Sequence, residues 1–279
     1  MEKDTVLFYH ANCPDGFGSA YAFWKKFGDT ITYHPLEHEK RDELDLEEYK
    51  GKRVFMADIA LERKPILALN DVAGELVVID HHQSALEDIG DLDFCIFDMQ
   101  RSGAVMSWDY LFSSPAPRLL KYIQDRDIWN WKLDNTDEAL LYVDSFDKTF
   151  KEWNYLEKEF MDDESFNDIV GKGEVIRQYR DSLIKRLVGQ SHFLNVKGYN
   201  VPAINLPFFR SEILAMLADD GVSPFAVGYN FDGTGYNFSL RSSGKSNGID
   251  VSKIAAQFPG GGGHKQAAGF SIKSMKELV

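Results

Sequence analysis

Three side chains that can bind a metal ion lie close together near the start of the chain. His10, Cys13 and Asp15 follow an apolar run within the segment FYHANCPDGFGSAYAFW, Phe8–Trp24. Imidazole, thiolate and carboxylate groups are all ligands of divalent transition metals. The segment is compatible either with one wall of a metal site or with an ordinary polar loop, and later segments must decide between the two.

Aspartates and histidines recur at the ends of two later apolar runs. Asp58 ends RVFMAD, whereas Asp80, His81 and His82 end ELVVIDHH. Taken singly, an aspartate after a strand usually caps a helix or shapes a turn, and a lone histidine is usually structural. However, ligands of an open parallel sheet bind beyond the carboxyl ends of its strands, so these segments are expected to converge.

A further segment, YIQDRDIW, places Asp125 and Asp127 at the end of an amphipathic helix. Mixed carboxylate and imidazole ligands suit manganese, iron or zinc better than calcium. Two such ions, bridged by a carboxylate, would activate hydroxide for attack on phosphorus. The recurrence of Asp and His at four strand or helix ends therefore favours a hydrolytic metal site over a purely structural protein.

The elements that must position these residues alternate between strand-like and helix-like runs in the first half of the chain. The strand-like runs are Thr5–His10, Thr30–Pro35, Lys52–Asp58, Glu75–Asp80 and an edge strand at Phe94–Asp98. The helix-like runs are Gly16–Phe27, Lys64–Asn70, Gly103–Phe112 and Pro117–Asp127. This alternation predicts an α/β fold with a mostly parallel sheet flanked by helices. Strands this apolar are expected when helices cover both faces of the sheet.

The second half of the chain predicts a helical connector and a smaller α/β domain. Glu174–Leu194 has helical periodicity, and Ser191–Leu206 is strand-like. Phe225–Arg241 contains two strand-like runs around DGTGYN, which predicts a hairpin. The predicted divisions are a first domain at 1–165, a helical connector at 166–190 and a second domain at 191–279.

A glycine run precedes His264 in the segment PGGGGHKQAAGF. Such a run often serves only to permit an irregular loop. Successive glycine amides can also cradle the oxygens of an anion, so Gly262, Gly263 and His264 are candidate phosphate ligands. Arg241, which closes the strand-like run NFSLRS, could add a bidentate contact to phosphate.

Two other segments have both a functional and a structural interpretation. Ser102 in QRSGAV stands at the start of a predicted helix, where it either contacts an anionic substrate or caps the helix. Trp129 and Trp131 in DIWNW either stack on a base or belong to the core. The sequence leaves both choices open.

The composition is that of a globular protein with an acidic surface. The 279 residues include 44 acidic and 31 basic side chains, for a formal net charge of −13. Duplex DNA is disfavoured because nonspecific binding needs many Lys and Arg contacts, whereas a short anionic substrate is not. No apolar run approaches the roughly 18 residues of a membrane span, and we find no signal peptide. Two cysteines are too few for a disulfide framework, which favours the cytoplasm.

Together these motifs resemble the DHH phosphoesterase superfamily. The H…D-G opening, Asp58, IDHH after an apolar strand, and GGGGHKQAAGF occur in the family's order over nearly the whole chain. The chain is most similar to the branch with a DHH-associated C-terminal domain, which includes nanoRNases and related phosphodiesterases. The resemblance implies a manganese-dependent phosphoesterase whose site lies in the cleft between a DHH catalytic domain and a DHH-associated substrate-binding domain.

The resemblance also implies a set of metal ligands. His10 and Asp15 would bind one ion, Asp58 would bridge two ions, and His81 and Asp125 would complete the second site. By the same motifs, manganese is the expected metal, with iron, zinc or magnesium as alternatives.

The remaining implied roles concern substrate. His82 would face the scissile phosphate, and Asp80 would orient a histidine from behind. Gly262, Gly263 and His264 would contact a substrate phosphate.

Cys13 departs from the family pattern, in which an aspartate commonly occupies that position. A thiolate is softer than manganese prefers, so Cys13 is either a ligand of iron or zinc or a bystander. The sequence leaves this choice open.

We therefore expect a hydrolase that acts on short oligonucleotides or small nucleotides. The alternatives are a hydrolase of polyphosphate or other phosphoanhydrides, and a weakly catalytic nucleotide-binding sensor. No duplex DNA and no membrane partner is expected, and a homodimer is left open.

Overall fold

The computed structural model describes residues 4–219, 222–245 and 247–278. It divides the chain into two compact units, with the division between Arg177 and Gln178. Each unit has its own sheet and its own hydrophobic core. Within the described ranges, no helix combines the length and the apolar character needed to cross a membrane.

The first unit is built on a parallel sheet, as predicted. In the described part of the chain its strands are β1 (Thr5–His10), β2 (Thr32–Leu36), β3 (Arg53–Ala57), β4 (Glu75–Asp80) and β5 (Cys95–Phe97). They lie in the order β2-β1-β3-β4-β5, and each neighbouring pair is parallel. Consequently β1, β3 and β4 are adjacent, and their carboxyl ends open onto one edge of the sheet.

Helices cover both faces of this sheet. The described helices of this unit are α1 (Pro14–Phe27), α2 (Arg63–Val72), α3 (Gln83–Ile89), α4 (Gly103–Leu111), α5 (Arg118–Asp127), α6 (Thr136–Val143) and α7 (Phe150–Met161), with 3-10 segments at Gly28–Thr30, His38–Glu43 and Leu46–Tyr49. Leu7 and Phe55 pack against α1 and α4, whereas Val54 and Val78 pack against α2 and α3. Because alternate strand residues are buried on opposite faces, the strands are apolar throughout.

The second unit is a smaller α/β structure with a mixed sheet. Its described strands are β6 (His192–Val196), β7 (Tyr199–Asn205), β8 (Phe225–Phe231), β9 (Tyr236–Ser242), β10 (Gly262–His264) and β11 (Ala267–Ile272), and its helical segments are α9 (Arg210–Ala218), α10 (Ser252–Ala255) and a 3-10 segment at Met275–Leu278. The strand order is β10-β11-β9-β8-β7-β6. β7 and β8 are parallel, and the other pairs are antiparallel. β8 and β9 form the hairpin predicted around DGTGYN.

A long helix, α8 (Asp163–Val188), contributes residues to both units. The predicted helix Glu174–Leu194 is wrong at both ends. Oδ2 of Asp162 accepts the backbone N–H of Ser165 at 2.8 Å, so a side-chain cap starts the helix before its periodicity becomes clear. At the other end, Leu194 lies in β6 and pairs with β7.

Candidate active site

Polar residues at the ends of three neighbouring strands lie together at one edge of the parallel sheet. His10 is the last residue of β1, and Asp58 directly follows β3. Asp80 is the last residue of β4, and His81 and His82 follow it. Because these strands are adjacent and parallel, the structure brings the three segments together.

Asp58 is the central carboxylate of this edge. It is buried, and its two oxygens face different histidines: Oδ1 lies 3.1 Å from Nε2 of His81, and Oδ2 lies 3.4 Å from Nδ1 of His10. Its backbone is left-handed, with φ at 59°, and its N–H donates to the carbonyl of Ile79 at 2.9 Å. Burial acts to raise the pKa of Asp58, but the bonds from the two histidines prevail and lower it to about 2.

His81 faces three carboxylates with one ring nitrogen. Its Nε2 lies 3.1 Å from Asp58 Oδ1, 3.5 Å from Asp127 Oδ2 and 3.7 Å from Asp15 Oδ2. Burial alone would lower the pKa of His81, but the Asp58 hydrogen bond and the charges of Asp15 and Asp127 raise it to about 9. Burial also raises the pKa of Asp15 well above its usual value, and the charge of Asp58 adds to the rise. A divalent cation bound among these acidic groups would offset the repulsion between their charges.

Asp15 is held in place by the start of α4. Its side chain is fully buried, and its oxygens accept the backbone N–H groups of Gly103 at 2.6 Å and Ala104 at 3.0 Å. The N-terminus of a helix favours an anion, and here that anion is a carboxylate of the protein itself.

Of the two roles that the sequence leaves open for Ser102, the structure shows the helix cap. Its hydroxyl is buried and accepts the backbone N–H of Val105 at 3.5 Å, which caps α4. Burial dominates the pKa of Asp15, and Ser102 acts in the opposite direction, to lower it. The structure thus shows the cap, while a substrate contact of Ser102 stays a prediction.

Two glycines allow the segments of the site to approach one another closely. A Cβ added to Gly16 would lie 2.2 Å from the carbonyl oxygen of His10, and one added to Gly103 would lie 2.7 Å from Cβ of Asp58. Any side chain at either position would displace a residue of the site. Neither glycine is predicted from the sequence as part of the site, although Gly16 belongs to the D-G pair and Gly103 directly follows a helix cap.

Asp80 fixes the orientation of His82. Nδ1 of His82 donates to Oδ1 of Asp80 at 2.6 Å, and the same oxygen accepts the backbone N–H groups of His81 at 2.7 Å and His82 at 3.2 Å. The bond to Asp80 is the main cause of a raised pKa at His82. Asp80 is buried while the His82 side chain is 38% exposed, so a fixed carboxylate presents an accessible imidazole.

Cys13 lies within the same site. Donor atoms of His10, Cys13 and Asp58 lie within 4.8 Å of one another. Burial, with a contribution from the charge of Asp58, raises the pKa of the Cys13 thiol to about 12. The thiol is therefore protonated at neutral pH in this arrangement, and metal ligation by Cys13 would require loss of that proton.

Three overlapping groups of donor atoms suit divalent ions. They are His10, Cys13 and Asp58; Asp58, His81 and His82; and Asp15, His81 and Asp127, each with its ligand atoms within 4.8 Å of one another. Asp58 and His81 each belong to two groups. Imidazole and carboxylate donors of this kind fit manganese, iron or zinc, and a shared carboxylate fits two neighbouring cations.

Asp127, rather than the predicted ligand Asp125, belongs to one of the donor groups found among the described residues. The carboxylate of Asp125 is buried and accepts three hydrogen bonds, from the N–H of Lys132 at 2.8 Å, the N–H of Leu133 at 3.1 Å and the hydroxyl of Thr136 at 2.6 Å. No donor group found among the described residues includes Asp125. A ligand role of Asp125 stays a prediction, and its hydrogen bonds within the turn do not support that role. Positions two apart on a helix are rotated by about 200°, so only one of the two aspartates faces the site.

The C-terminal region of the chain matches a known protein family. Residues 210–279 match the family model of the DHHA1 domain. This confirms the resemblance to the DHH superfamily branch that carries a DHH-associated C-terminal domain.

Similarity to other proteins extends over the whole chain. The uncharacterized protein R106 of Acanthamoeba polyphaga mimivirus is 29% identical over 297 residues, which cover 99% of this chain and 69% of the relative. The pGpG-specific phosphodiesterase PggH of Vibrio cholerae has a TM-score of 0.56 at 13% identity, covering 98% of this chain and 94% of that chain. RecJ of Thermus thermophilus, in complex with Mn²⁺, has a TM-score of 0.52 at 14% identity, covering 98% of this chain and 50% of that chain. At these identities the two structures share the fold.

Within the region that matches the DHHA1 domain, the predicted phosphate ligands lie on the two strands that flank β11. His264 of β10 and Arg241 of β9 both pair in register with Ala267 of β11. Because residues directly opposite in antiparallel strands share a face, Arg241 and His264 lie on the same face of the sheet. Gly262 and Gly263 precede His264 in the exposed strand β10, so the glycine run contributes to an ordered sheet edge. Contact of these residues with phosphate stays a prediction.

Proposed function

We propose that this chain is a divalent-metal-dependent phosphoesterase that hydrolyses phosphoester bonds of short oligonucleotides or small nucleotides. The observation that carries the proposal is the sharing of Asp58 and His81 among the three donor groups. Paired metal ions at a shared carboxylate stabilise the attacking and leaving oxygens of displacement at phosphorus. The DHHA1 domain and the fold likeness to a phosphodiesterase support the same reaction class.

The proposed cofactor is manganese, with two ions per chain. The residues that would hold them are His10, Cys13 and Asp58 on one side and Asp15, His81 and Asp127 on the other. Asp58 and His81 link these two groups through a third group, which they form with His82. When bound, such ions lower the pKa of water and withdraw charge from phosphate oxygens. The Mn²⁺ complex of RecJ and the hard carboxylate oxygens support manganese, while the soft thiol of Cys13 is the reason to test iron and zinc beside it.

His82 is the proposed contact to the scissile phosphate. Since Nδ1 donates to Asp80, the proton on that nitrogen is fixed and Nε2 is the atom that would meet a phosphate oxygen. The raised pKa of His82 favours the cationic ring, which would offset negative charge that develops on the phosphate in the transition state. Asp80 is thus a positioning residue that acts through His82.

The DHHA1 domain is proposed to bind a phosphate of the substrate. Support comes from the common sheet face of Arg241 and His264 and from the amides of Gly262 and Gly263 beside them. The guanidinium of Arg241 donates to the hydroxyl of Ser211 at 2.8 Å, which restricts its orientation. A planar guanidinium and closely spaced glycine amides both suit a phosphate group.

A short nucleotide is the proposed substrate because the chain carries a net charge of −13, which disfavours a long nucleic acid. The name of PggH, a phosphodiesterase specific for pGpG, supports a dinucleotide as the first substrate to test. Polyphosphate would use the same metal ligands, so a direct comparison of substrates has to separate the two classes.

The proposal is tested by the release of mononucleotide from pGpG and pApA with manganese, magnesium, zinc or iron(II), and with a chelator. Asp58→Asn keeps the side-chain size but removes the charge of the shared ligand, and is expected to lower kcat/KM by at least about 100-fold. Asp71→Asn, at an exposed position of α2, is the matched control and should retain wild-type turnover.

Equal nucleotide release by Asp58→Asn and the wild type would overturn the assignment of the metal site. Faster turnover of tripolyphosphate than of either dinucleotide would replace the nucleotide substrate with a phosphoanhydride. Tight nucleotide binding without hydrolysis under every ion would instead identify a sensor.

A further inference from the structure

A pair of exposed tryptophans directly follows the proposed metal ligand Asp127. The Trp129 side chain is 77% exposed and that of Trp131 is 38% exposed. Their rings meet edge to face, with centroids 5.2 Å apart and an interplanar angle of 86°. Of the two interpretations left open by the sequence, core packing is excluded for Trp129 by its exposure.

The backbone holds both tryptophans in an uncommon conformation. Trp129 and Trp131 have positive φ angles, 56° and 50°. A bulky aromatic residue reaches this left-handed region only where the surrounding structure fixes it. The turn is fixed by backbone hydrogen bonds: the N–H of Trp129 donates to the carbonyl of Arg126 at 3.1 Å, and that of Trp131 donates to the carbonyl of Asp125 at 3.2 Å.

Side-chain contacts also stabilise this turn. The carboxylate of Asp125 accepts the N–H groups of Lys132 and Leu133, which directly follow Trp131. Arg126, at the end of α5, makes a bidentate ion pair with Asp144, with distances of 2.7 and 3.1 Å. The buried Asp125 therefore has an identifiable role, which is to position the segment that carries the two indoles.

Trp129 lies close to the proposed metal ligand Asp127 along the chain. Its Cα lies at most about 7.6 Å from that of Asp127, because the two are separated by two peptide units. Asp127 in turn lies 3.5 Å from Nε2 of His81. An exposed indole, held in a fixed turn near the proposed metal site, is suited to stack on the base of a nucleotide whose phosphate binds there.

We infer that Trp129 is a nucleobase-stacking subsite, with Trp131 supporting its ring from the edge. This inference rests on the proposed function and specifies its substrate class. Every base has a flat π-face, so stacking tolerates different base sequences. Polyphosphate has no base and gains nothing from Trp129, so the subsite favours nucleotide substrates over phosphoanhydrides.

The test compares a ligand that has a base with one that lacks it. Binding of AMP and of inorganic phosphate to the full chain is measured calorimetrically with magnesium present. Trp129→Ala is expected to weaken AMP binding roughly 5- to 100-fold, and phosphate binding by clearly less. Trp129→Phe keeps an aromatic face and should restore most of the AMP affinity. Tyr155→Ala, which removes an exposed aromatic ring from α7, is the matched control.

The ratio of the two affinities makes the result independent of folding, because partial unfolding of a variant lowers both equally. An equal loss of AMP and phosphate binding in Trp129→Ala, an unchanged AMP affinity, or wild-type AMP binding no tighter than phosphate binding would each overturn the inference. If AMP affinity depends on Trp129 but no nucleotide is hydrolysed, the subsite stands and the proposed reaction fails. If dinucleotides are hydrolysed while AMP affinity is independent of Trp129, the subsite alone fails.

Discussion

The backbone N–H of Gly103 donates to Oδ2 of Asp15 at 2.6 Å, which joins the start of α4 to the start of α1 at the candidate metal site. No larger residue fits at position 103. A Cβ there would lie 2.7 Å from Cβ of Asp58 and 3.0 Å from Oδ2 of Asp15. Position 103 is therefore a glycine because two carboxylates of the site occupy the space that a side chain would need.

Gly103→Ala is expected to displace Asp15, Asp58 or the first turn of α4. Overpacking of this kind lowers the free energy of unfolding by about 1–3 kcal/mol. Because the displaced groups are proposed metal ligands, Mn²⁺ affinity should fall by at least about 10-fold. Thermal unfolding and calorimetric Mn²⁺ titration measure the two effects.

Gly171→Ala is the matched control for that substitution. A Cβ on Gly171, within α8, would meet no other atom within 4 Å. The replacement is expected to raise the free energy of unfolding by up to about 1 kcal/mol through helix propensity, without changing Mn²⁺ affinity. Wild-type Mn²⁺ affinity in both variants would show that the close approach at Gly103 is unnecessary for the site.

The parallel sheet and the convergence of its strand ends could be predicted from the sequence. Apolar strands alternate with amphipathic helices, and a parallel sheet places residues that follow its strands at one edge. This was sufficient to bring His10, Asp58 and His81 together. The contacts that complete the site were not predictable, because a strand or helix pattern does not specify which loop approaches which carboxylate.

Two residues illustrate that limit. Asp125 and Asp127 give the same signal in YIQDRDIW, and only the rotation about the helix axis decides which of them faces His81. Ser102 was correctly placed at the start of a helix, but the anion at that helix start is Asp15, a residue far away in the sequence. In both cases the deciding contact is tertiary.

Replacement of Asp127 by asparagine and replacement of Asp125 by asparagine should have different effects. Asp127→Asn removes a proposed metal ligand and is expected to lower Mn²⁺ affinity at least about 10-fold while the unliganded protein keeps its stability. Asp125→Asn weakens the charge-assisted bonds within the turn and is expected to cost about 1–3 kcal/mol of stability. Calorimetry and unfolding of the metal-free protein separate the two. A larger loss of Mn²⁺ affinity in Asp125→Asn would reinstate Asp125 as the ligand.

Mn²⁺ should also raise the unfolding temperature of the wild type in a concentration-dependent way, since a ligand that binds only the folded state stabilises it. The increase should be smaller in Asp127→Asn at the same Mn²⁺ concentration. Addition of a chelator should return the wild type to its metal-free unfolding temperature. An unfolding temperature that does not respond to any divalent ion would argue against a cation at this edge.

Asp80→Asn tests whether Asp80 acts through His82. An amide oxygen accepts the hydrogen bond from the Nδ1–H of His82 more weakly than a carboxylate oxygen does. The substitution therefore also removes the main cause of the raised pKa of His82. We expect kcat to fall about 10- to 100-fold, with a smaller change in Mn²⁺ affinity, and the pH at which His82 loses its proton to decrease. The pH profile of kcat distinguishes this role from a structural one, in which kcat would fall equally at every pH.

The buried contact between Tyr21 and Glu157 predicts a loss of stability at alkaline pH. The Tyr21 hydroxyl donates to Oε2 of Glu157 at 2.8 Å, and Lys25 lies 3.1 Å from Oε1 of the same carboxylate. Burial, together with the negative charge of Glu157, raises the pKa of Tyr21. Above about pH 10 the unfolded chain therefore releases the tyrosine proton that the folded chain retains. The free energy of unfolding should fall by up to about 1.4 kcal/mol per pH unit through this group.

Tyr21→Phe should be about 1 kcal/mol less stable than the wild type at neutral pH because it lacks the hydrogen bond. Since phenylalanine has no proton to lose, this difference should shrink as the pH rises above about 10. Tyr179→Phe, at an exposed position of α8, is the control that should follow the wild type throughout. Urea unfolding at about pH 8 and at several values between about pH 10 and 11 measures the difference. A difference that stays constant over this range would mean that burial of the Tyr21 hydroxyl does not oppose its ionisation.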